Sequence, residues 1–323
     1  MTAPVPSGTN ASEPIVLDGA TRRVTIGVLA LQGAFVEHAA LLASLGADVR
    51  EVRLPQEFEG LDGIVLPGGE STAMALIGER WGVFPRLKQW VSEGRPVWGT
   101  CAGMILLSDH ALMMKKGGQA LVGGLNVEIC RNYFGAQKSS FEIPLDTSAL
   151  GLGSTDGKGG EGSSPGPYPA VFIRAPAILE VGPGVDVLCK VRARPCNKAV
   201  DVMNAQLQAQ DAAEKEEGGG DKGDEAPSAK RRRIASFFVE SDSTAAAAAA
   251  GGTDGAEAPE VIVAIRKGNI VGTSFHPELT NDTRWHKYFV ELVEEAVRGG
   301  GGGPPTNAKP VGSEAAGAVP TVV

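Results

Sequence analysis

Pro96-Val97-Trp98-Gly99-Thr100-Cys101-Ala102-Gly103-Met104-Ile105-Leu106-Leu107 sets a cysteine between small residues, with an apolar run on each side. The first run reads as a strand and the second begins a helical pattern, so Cys101 is predicted on a sharp strand-to-helix turn. Small neighbours let such a turn close, because glycine tolerates backbone angles that bulkier residues resist. The sulfur then projects over the carboxyl end of a strand and the positive end of the new helix faces it, which favours thiolate over thiol. A base and a carboxylate follow late in the chain, in Ser274-Phe275-His276-Pro277-Glu278. His276 is suited to accept the thiol proton, and Glu278, two residues on, can share one side of an extended segment with it. Nucleophile, base and carboxylate are the parts of acyl transfer through a thioester.

Upstream of the cysteine, Val24 to Leu31 is a β-type run and Phe35 to Leu45 carries helix-spaced apolar residues ending at Gly46. Strands at Val49 to Leu54 and Gly63 to Leu66 and helices at Glu70 to Ile77 and Val83 to Val91 continue the alternation. Such alternation implies a parallel sheet covered by helices. Downstream the pattern turns to strands: Leu125 to Cys130, Phe141 to Leu145, Ala170 to Ile173, Val185 to Val191, Val261 to Arg266 and Ile270 to Phe275, with a closing helix from Thr283 to Val297. This later part reads as an antiparallel addition to the sheet. Ligands of open α/β sheets lie at the carboxyl ends of the strands, where both Cys101 and His276 fall.

A second turn, Leu66-Pro67-Gly68-Gly69-Glu70-Ser71-Thr72, also leaves a strand and opens a helix. Its glycines free N–H groups at Gly68 and Gly69 which, with the N–H of Ala102, make an oxyanion hole. The plainer reading is an ordinary turn with Ser71 or Thr72 as the helix cap. Its place ahead of Cys101 favours the oxyanion reading.

Forty-four glycines are too many for one core in 323 residues, and they cluster in segments without apolar periodicity. The expected organisation is a tail over residues 1–20, one domain over 21–298 interrupted by disordered insertions at about 151–167 and 205–258, and a tail over 299–323. Long loops cost little entropy to close, so the fold should survive them. The four cysteines show no metal-type spacing, no apolar stretch is long enough to span a bilayer, and residues 1–20 lack a signal-peptide pattern. A cytoplasmic protein with reduced thiols and no metal or cofactor is expected. The net charge of −8 argues against a general nucleic-acid binder. Lys230-Arg231-Arg232-Arg233 has the composition of a nuclear-import signal and equally that of a solvated basic cluster.

Five blocks together resemble the glutaminase subunits of pyridoxal 5'-phosphate synthase, a branch of the class I glutamine amidotransferases. They are Gly27 to Phe35 with Glu37-His38; Leu66 to Thr72; Gly99 to Gly103; Arg131-Asn132 with Phe134-Gly135 and Gln137; and Ser274 to Thr280. Val171 to Pro176 adds a sixth. The resemblance implies a three-layer, flavodoxin-like α/β fold, mostly parallel with an antiparallel addition. It also implies that Cys101 attacks the side-chain amide of L-glutamine, His276 shuttles the proton to the leaving ammonia, and Glu278 orients the imidazolium. Gly69, Glu70, Ser71, Arg131, Ile173 and Arg174 match positions that hold the glutamine, and Gln32 matches the edge of the docking face. The implied partner is a synthase (lyase) subunit in a hetero-oligomer. It takes the ammonia through a channel to build vitamin B6, and its docking completes the oxyanion hole.

Plainer readings attach to the remaining residues. Cys130 and Cys189 read as buried small hydrophobes, His38 and His110 as solvated or core-edge residues on helices, and His286 as structural. Arg174 is also compatible with a surface ion pair. Ala199 to Met203 and Ser236 to Val239 are short apolar islands, each an added strand or the remnant of one. Two other functions stay open on residues alone: an amidotransferase serving another acceptor, and a scaffold or regulator whose triad is silent.

Overall fold

The computed structural model describes residues 15–17, 20–114, 118–135, 140–147, 150, 166–217 and 258–299. It opens on a short antiparallel hairpin, β1 (Ile15–Leu17) against β2 (Ala20–Arg22). The expected tail over residues 1–20 is therefore corrected at its end.

The alternation read upstream of Cys101 takes the form β3 (Thr25–Leu29), α1 (Phe35–Ser44), β4 (Asp48–Val52), β5 (Gly63–Leu66), α2 (Ser71–Arg80), α3 (Val83–Ser92), β6 (Val97–Thr100) and α4 (Ala102–Leu107). After it come β7 (His110–Leu112), β8 (Val127–Cys130), β9 (Phe141–Leu145), β10 (Tyr168–Phe172), β11 (Ala177–Val181), β12 (Asp186–Arg192), α5 (Asn197–Glu217), β13 (Glu260–Lys267), β14 (Ile270–Thr273) and α6 (Arg284–Arg298). The main sheet has ten strands in the order β4-β3-β5-β6-β14-β13-β11-β8-β7, with β12 paired to β13. Strands β4, β3, β5, β6 and β14 run parallel. Beyond β14 the β13 pairings and the β11–β8 pairing are antiparallel, as expected. Strands β9 and β10 do not join this sheet but form their own antiparallel pair.

Side chains alternate across the sheet and feed two apolar layers. On one face Ile26, Val28, Val65 and Trp98 pack with Leu42 of α1 and Phe289 and Val293 of α6. On the other, Leu29, Ile64, Leu66 and Val97 pack with Met74 of α2, Phe84 and Trp90 of α3 and Met104 of α4. Helices over both faces of a mostly parallel sheet give the three layers read from the sequence.

Helix α5 corrects two expectations. Ala199 to Met203 is helix rather than strand, with Ala199 and Met203 buried, and the helix continues to Glu217, inside the stretch read as a disordered insertion from residue 205. Ala205, Gln206, Gln208 and Ala209 are good helix formers that lack an apolar stripe, so polarity masked their propensity. Residues 151–165 and 218–257, including Ser236 to Val239 and Lys230 to Arg233, lie outside the described residues, as do Gln137 and the tail from residue 300.

Candidate active site

Register decides where the site forms. Strands β6 and β14 are parallel neighbours with Thr100 opposite Thr273, so the residues that leave their carboxyl ends emerge side by side. Cys101 follows Thr100 directly, and its N–H donates to the Thr273 carbonyl at 2.8 Å. Its backbone sits at φ 46 and ψ −101, in the left-handed region that a residue with a side chain rarely occupies. The turn closes because Gly99 and Gly103 lie so close that a Cβ on Gly99 would strike the Gly103 backbone at 2.5 Å. A Cβ on Gly103 would run into the Leu66 carbonyl. The strand-to-helix elbow read from the sequence is thus a packed, strained turn, with Ala102 as the first residue of α4 and its N–H without an intrahelical acceptor.

His276 follows β14, tied by its N–H to the Val171 carbonyl at 2.8 Å. The turn beyond it is held by Tyr168, whose hydroxyl reaches Thr280 Oγ1 at 3.1 Å and Pro277 O at 3.4 Å. His276 Nδ1 donates to Glu278 Oε1 at 2.7 Å, which leaves Nε2 for the sulfur. Burial opposes a charge on this imidazole, but the Cys101 charge, a hydrogen bond to Cys101 and the Glu278 carboxylate outweigh it and push its pKa up to about 10. Burial likewise opposes charge on Glu278, yet His38 and His276 together hold its carboxyl well below the usual carboxylate range. The structure therefore brings Cys101, His276 and Glu278 together where β6 and β14 end.

The glycine turn closes over this group. A Cβ on Gly68 would lie 2.5 Å from His276 Cε1 and 3.5 Å from Cys101 Cβ, so Gly68 is the wall against which the imidazole rests. The Gly68 carbonyl accepts the Ala34 N–H at 3.0 Å, and Gln32 Oε1 accepts the Glu70 N–H at 2.6 Å. Gln32 is half-buried and ties the first loop to the turn. Helix α2 is capped by the Glu70 carboxylate, which accepts from the Thr72 and Ala73 N–H groups at 3.2 and 2.9 Å, and not by Ser71 or Thr72. Those two hydroxyls both donate to Gln119 Oε1 at 3.1 Å, a contact to a residue with no motif around it.

Across the mouth, Arg131 is buried and its Nη2 lies 3.5 Å from Glu70 Oε1, while its Nη1 has no hydrogen-bond partner among the described residues. Burial lowers the Arg131 pKa, Glu70 opposes that, and the charges of Arg174 and Cys101 also act on it. Arg174 is exposed and has φ 48, another left-handed residue at the site. The carbonyl of Ile173 stands 4.0 Å from Cys101 Sγ. The carboxyl ends of β5, β6 and β14 thus carry the glycine turn, Cys101 and His276, while Arg131 follows β8 and Ile173 and Arg174 follow β10.

Cys130 and Cys189 behave as small hydrophobes: burial pushes both thiols up to about 12, where they are inert. His110 is exposed, on a strand rather than a helix. His38 is the correction that matters. It is fully buried, on the inner face of α1 with Leu42 four residues on, and its Nε2 lies 3.3 Å from Glu278 Oε2. The i, i+4 pairing with an apolar residue was the available signal. Among the described residues no cluster suits a metal ion, and no helix is long and apolar enough to cross a membrane.

The description of the SNO glutamine amidotransferase family matches residues 28–210 and 240–295. The chain is 39% identical over 298 residues to a probable pyridoxal 5'-phosphate synthase subunit PDX2 of Arabidopsis thaliana, covering 92% of this chain and 96% of that protein. It is 36% identical over 272 residues to the pyridoxal 5'-phosphate synthase subunit PdxT of Arthrobacter sp. (strain FB24), covering 83% and 91%. A solved glutamine amidotransferase superposes with a TM-score of 0.54 at 30% identity, covering 83% of this chain and 98% of that one.

Proposed function

From the premise that this chain belongs to the SNO glutamine amidotransferase family, we propose that Cys101, His276 and Glu278 are its catalytic triad and that L-glutamine occupies the mouth beside them. The protein is a glutaminase whose ammonia feeds pyridoxal 5'-phosphate synthesis. The observation that carries the residue assignment is the pairing of Thr100 with Thr273, which delivers sulfur and imidazole to the same edge.

In the reaction the Cys101 thiolate adds to the amide carbon. The oxyanion takes donors from Ala102 N–H and from the Gly68-Gly69 turn, each worth about 3 kcal/mol in comparable enzymes. His276 gives its proton to the leaving nitrogen, the C–N bond breaks, and ammonia departs from a glutamyl thioester. Water then adds to the thioester while His276 takes its proton, and glutamate leaves as the thiolate re-forms. Glu278 keeps the imidazole oriented and charged when it must be. Arg131 is the guanidinium assigned to the substrate carboxylate, because its Nη1 is buried and unpartnered whereas Arg174 is exposed. Gly69, Glu70, Ser71 and Ile173 complete the pocket.

The partner is the synthase subunit, which receives ammonia in a hetero-oligomer in the cytoplasm. Gln32 sits at the edge of that contact and passes docking to the Glu70 turn through the bond it makes there. The test is glutamate release by the full chain with and without its synthase subunit. Release that rises strongly on adding the subunit supports the reading, whereas no release in either mixture overturns it.

A further inference from the structure

Behind the catalytic carboxylate lie two buried histidines that the thioester reaction does not use. His38 of α1 and His286 of α6 have no exposed surface, and His38 Nδ1 meets His286 Nε2 at 2.9 Å. The other nitrogen of His38, Nε2, faces Glu278 Oε2 at 3.3 Å and Thr100 Oγ1 at 3.2 Å. Trp98 stands edge-on to both rings, with centroids 5.5 Å from His38 and 5.1 Å from His286.

We propose that His38 is a positioning residue for this glutaminase: it donates its Nε2–H to Glu278 Oε2, and His286 selects the tautomer that makes this possible. The inference rests on the glutaminase reading given above. Glu278 is a buried carboxylate with two oxygens. His276 Nδ1 holds Oε1, while Oε2 makes no hydrogen bond among the described residues and stands 3.3 Å from His38 Nε2, which itself lies 3.2 Å from Thr100 Oγ1. A buried carboxylate oxygen without a donor is costly and lets the group rotate, which would swing His276 with it.

The proton count supports one arrangement. His286 is wholly buried and burial holds its pKa well below the ordinary value, so it is neutral and carries a single proton. Its Nδ1 has no partner among the described residues, whereas its Nε2 has His38. A buried N–H is the costlier group to leave unpaired, so the proton belongs on Nε2 and points at His38 Nδ1. His38 Nδ1 is then an acceptor, its own proton lies on Nε2, and it faces Glu278. Each imidazole in the row directs its proton toward the carboxylate. The other titratable groups facing Glu278 are His276 on its own turn and, at longer range, Tyr168 of β10, whose hydroxyl burial keeps protonated.

The test compares His38→Leu and His38→Gln, each as the full chain with its synthase subunit, alongside ¹⁵N-histidine NMR of the wild-type chain, which has only four histidines. Loss of one hydrogen bond to a charged group is expected to lower kcat about 10- to 100-fold in His38→Leu with KM little changed. Because His38 holds the Glu278 pKa down, its removal should move the acid limb of kcat/KM to higher pH. Glutamine at this position keeps an N–H donor, so His38→Gln should recover most of both losses. The NMR spectrum should show the His38 proton on Nε2, a readout that requires no variant to fold. Wild-type kinetics in His38→Leu, equal losses in both variants with an unmoved acid limb, or a His38 proton found only on Nδ1 would each overturn the proposal. A wild-type chain that releases no glutamate would instead defeat the glutaminase reading, while the tautomer measurement would still stand.

Discussion

Gly68→Ala should slow the enzyme about 100-fold without unfolding it. The added methyl would lie 2.5 Å from His276 Cε1 and 2.8 Å from Nδ1, the atom that Glu278 holds at 2.7 Å. Carbon atoms pack at about 3.5 to 4.0 Å, so the ring must retreat by about 1 Å. A displacement of that size at the reacting groups costs about 100-fold in rate. The overpacking itself costs about 1 to 3 kcal/mol, which a stable domain survives. The assay is glutamate release by the complex, with thermal unfolding measured on the same sample. Gly94→Ala is the control: its φ of 69 is strained for alanine, yet nothing lies within 4 Å of the added carbon, so it should lose some stability and no activity. A Gly68→Ala enzyme with wild-type turnover would show that the imidazole does not rest against this glycine in the working enzyme.

Arg131→Gln should raise KM for glutamine at least about 10-fold with a smaller effect on kcat, since it removes a buried donor for the ground-state carboxylate; steady-state kinetics at saturating synthase subunit checks this. Glu278 has a folded pKa below its ordinary 4.5, so its contribution to stability is present above that pH and is lost as pH falls through the folded value. His276 has a folded pKa raised from 6.5 to about 10, so its contribution is full below 6.5 and is lost as pH rises toward 10. Denaturant titrations across pH should show both limbs, and Cys101→Ala should weaken the alkaline one by removing the partner that raises His276. Met203→Ala, buried on a helix where a strand or strand remnant was expected, should cost about 2 to 5 kcal/mol in the same titrations. Deletion of residues 218–257 should leave the melting temperature and glutamate release unchanged.

The strand-to-helix elbow was legible because its signals are local: small residues around Cys101, an apolar run before it and helical spacing after it. The parallel half of the sheet was legible for the same reason, its central strands β3, β5 and β6 being short, apolar and followed by a turn. What escaped the sequence depends on contacts between distant segments. That β9 and β10 pair apart from the main sheet is a matter of register, which apolar content alone does not encode. Helix α5 was missed because a polar Ala- and Gln-rich run resembles a linker until Ala199 and Met203 anchor its first turns in the core. His38 read as peripheral although its spacing from Leu42 marks the inner face of its helix; what the helix alone cannot announce is that α6 brings His286 to 2.9 Å and the β14 turn brings Glu278 to 3.3 Å. The plainer reading of this turn offered Ser71 or Thr72 as its cap and passed over Glu70, since the hydroxyls are good caps by type and only the backbone path chooses among them.

The most direct measurement is to quench the complex with acid during turnover of glutamine and weigh the peptide that contains Cys101. A glutamyl group on that cysteine, absent from Cys101→Ala along with all glutamate release, is the predicted result. Glutamate still released by Cys101→Ala, or the glutamyl group found on another residue, would contradict the account.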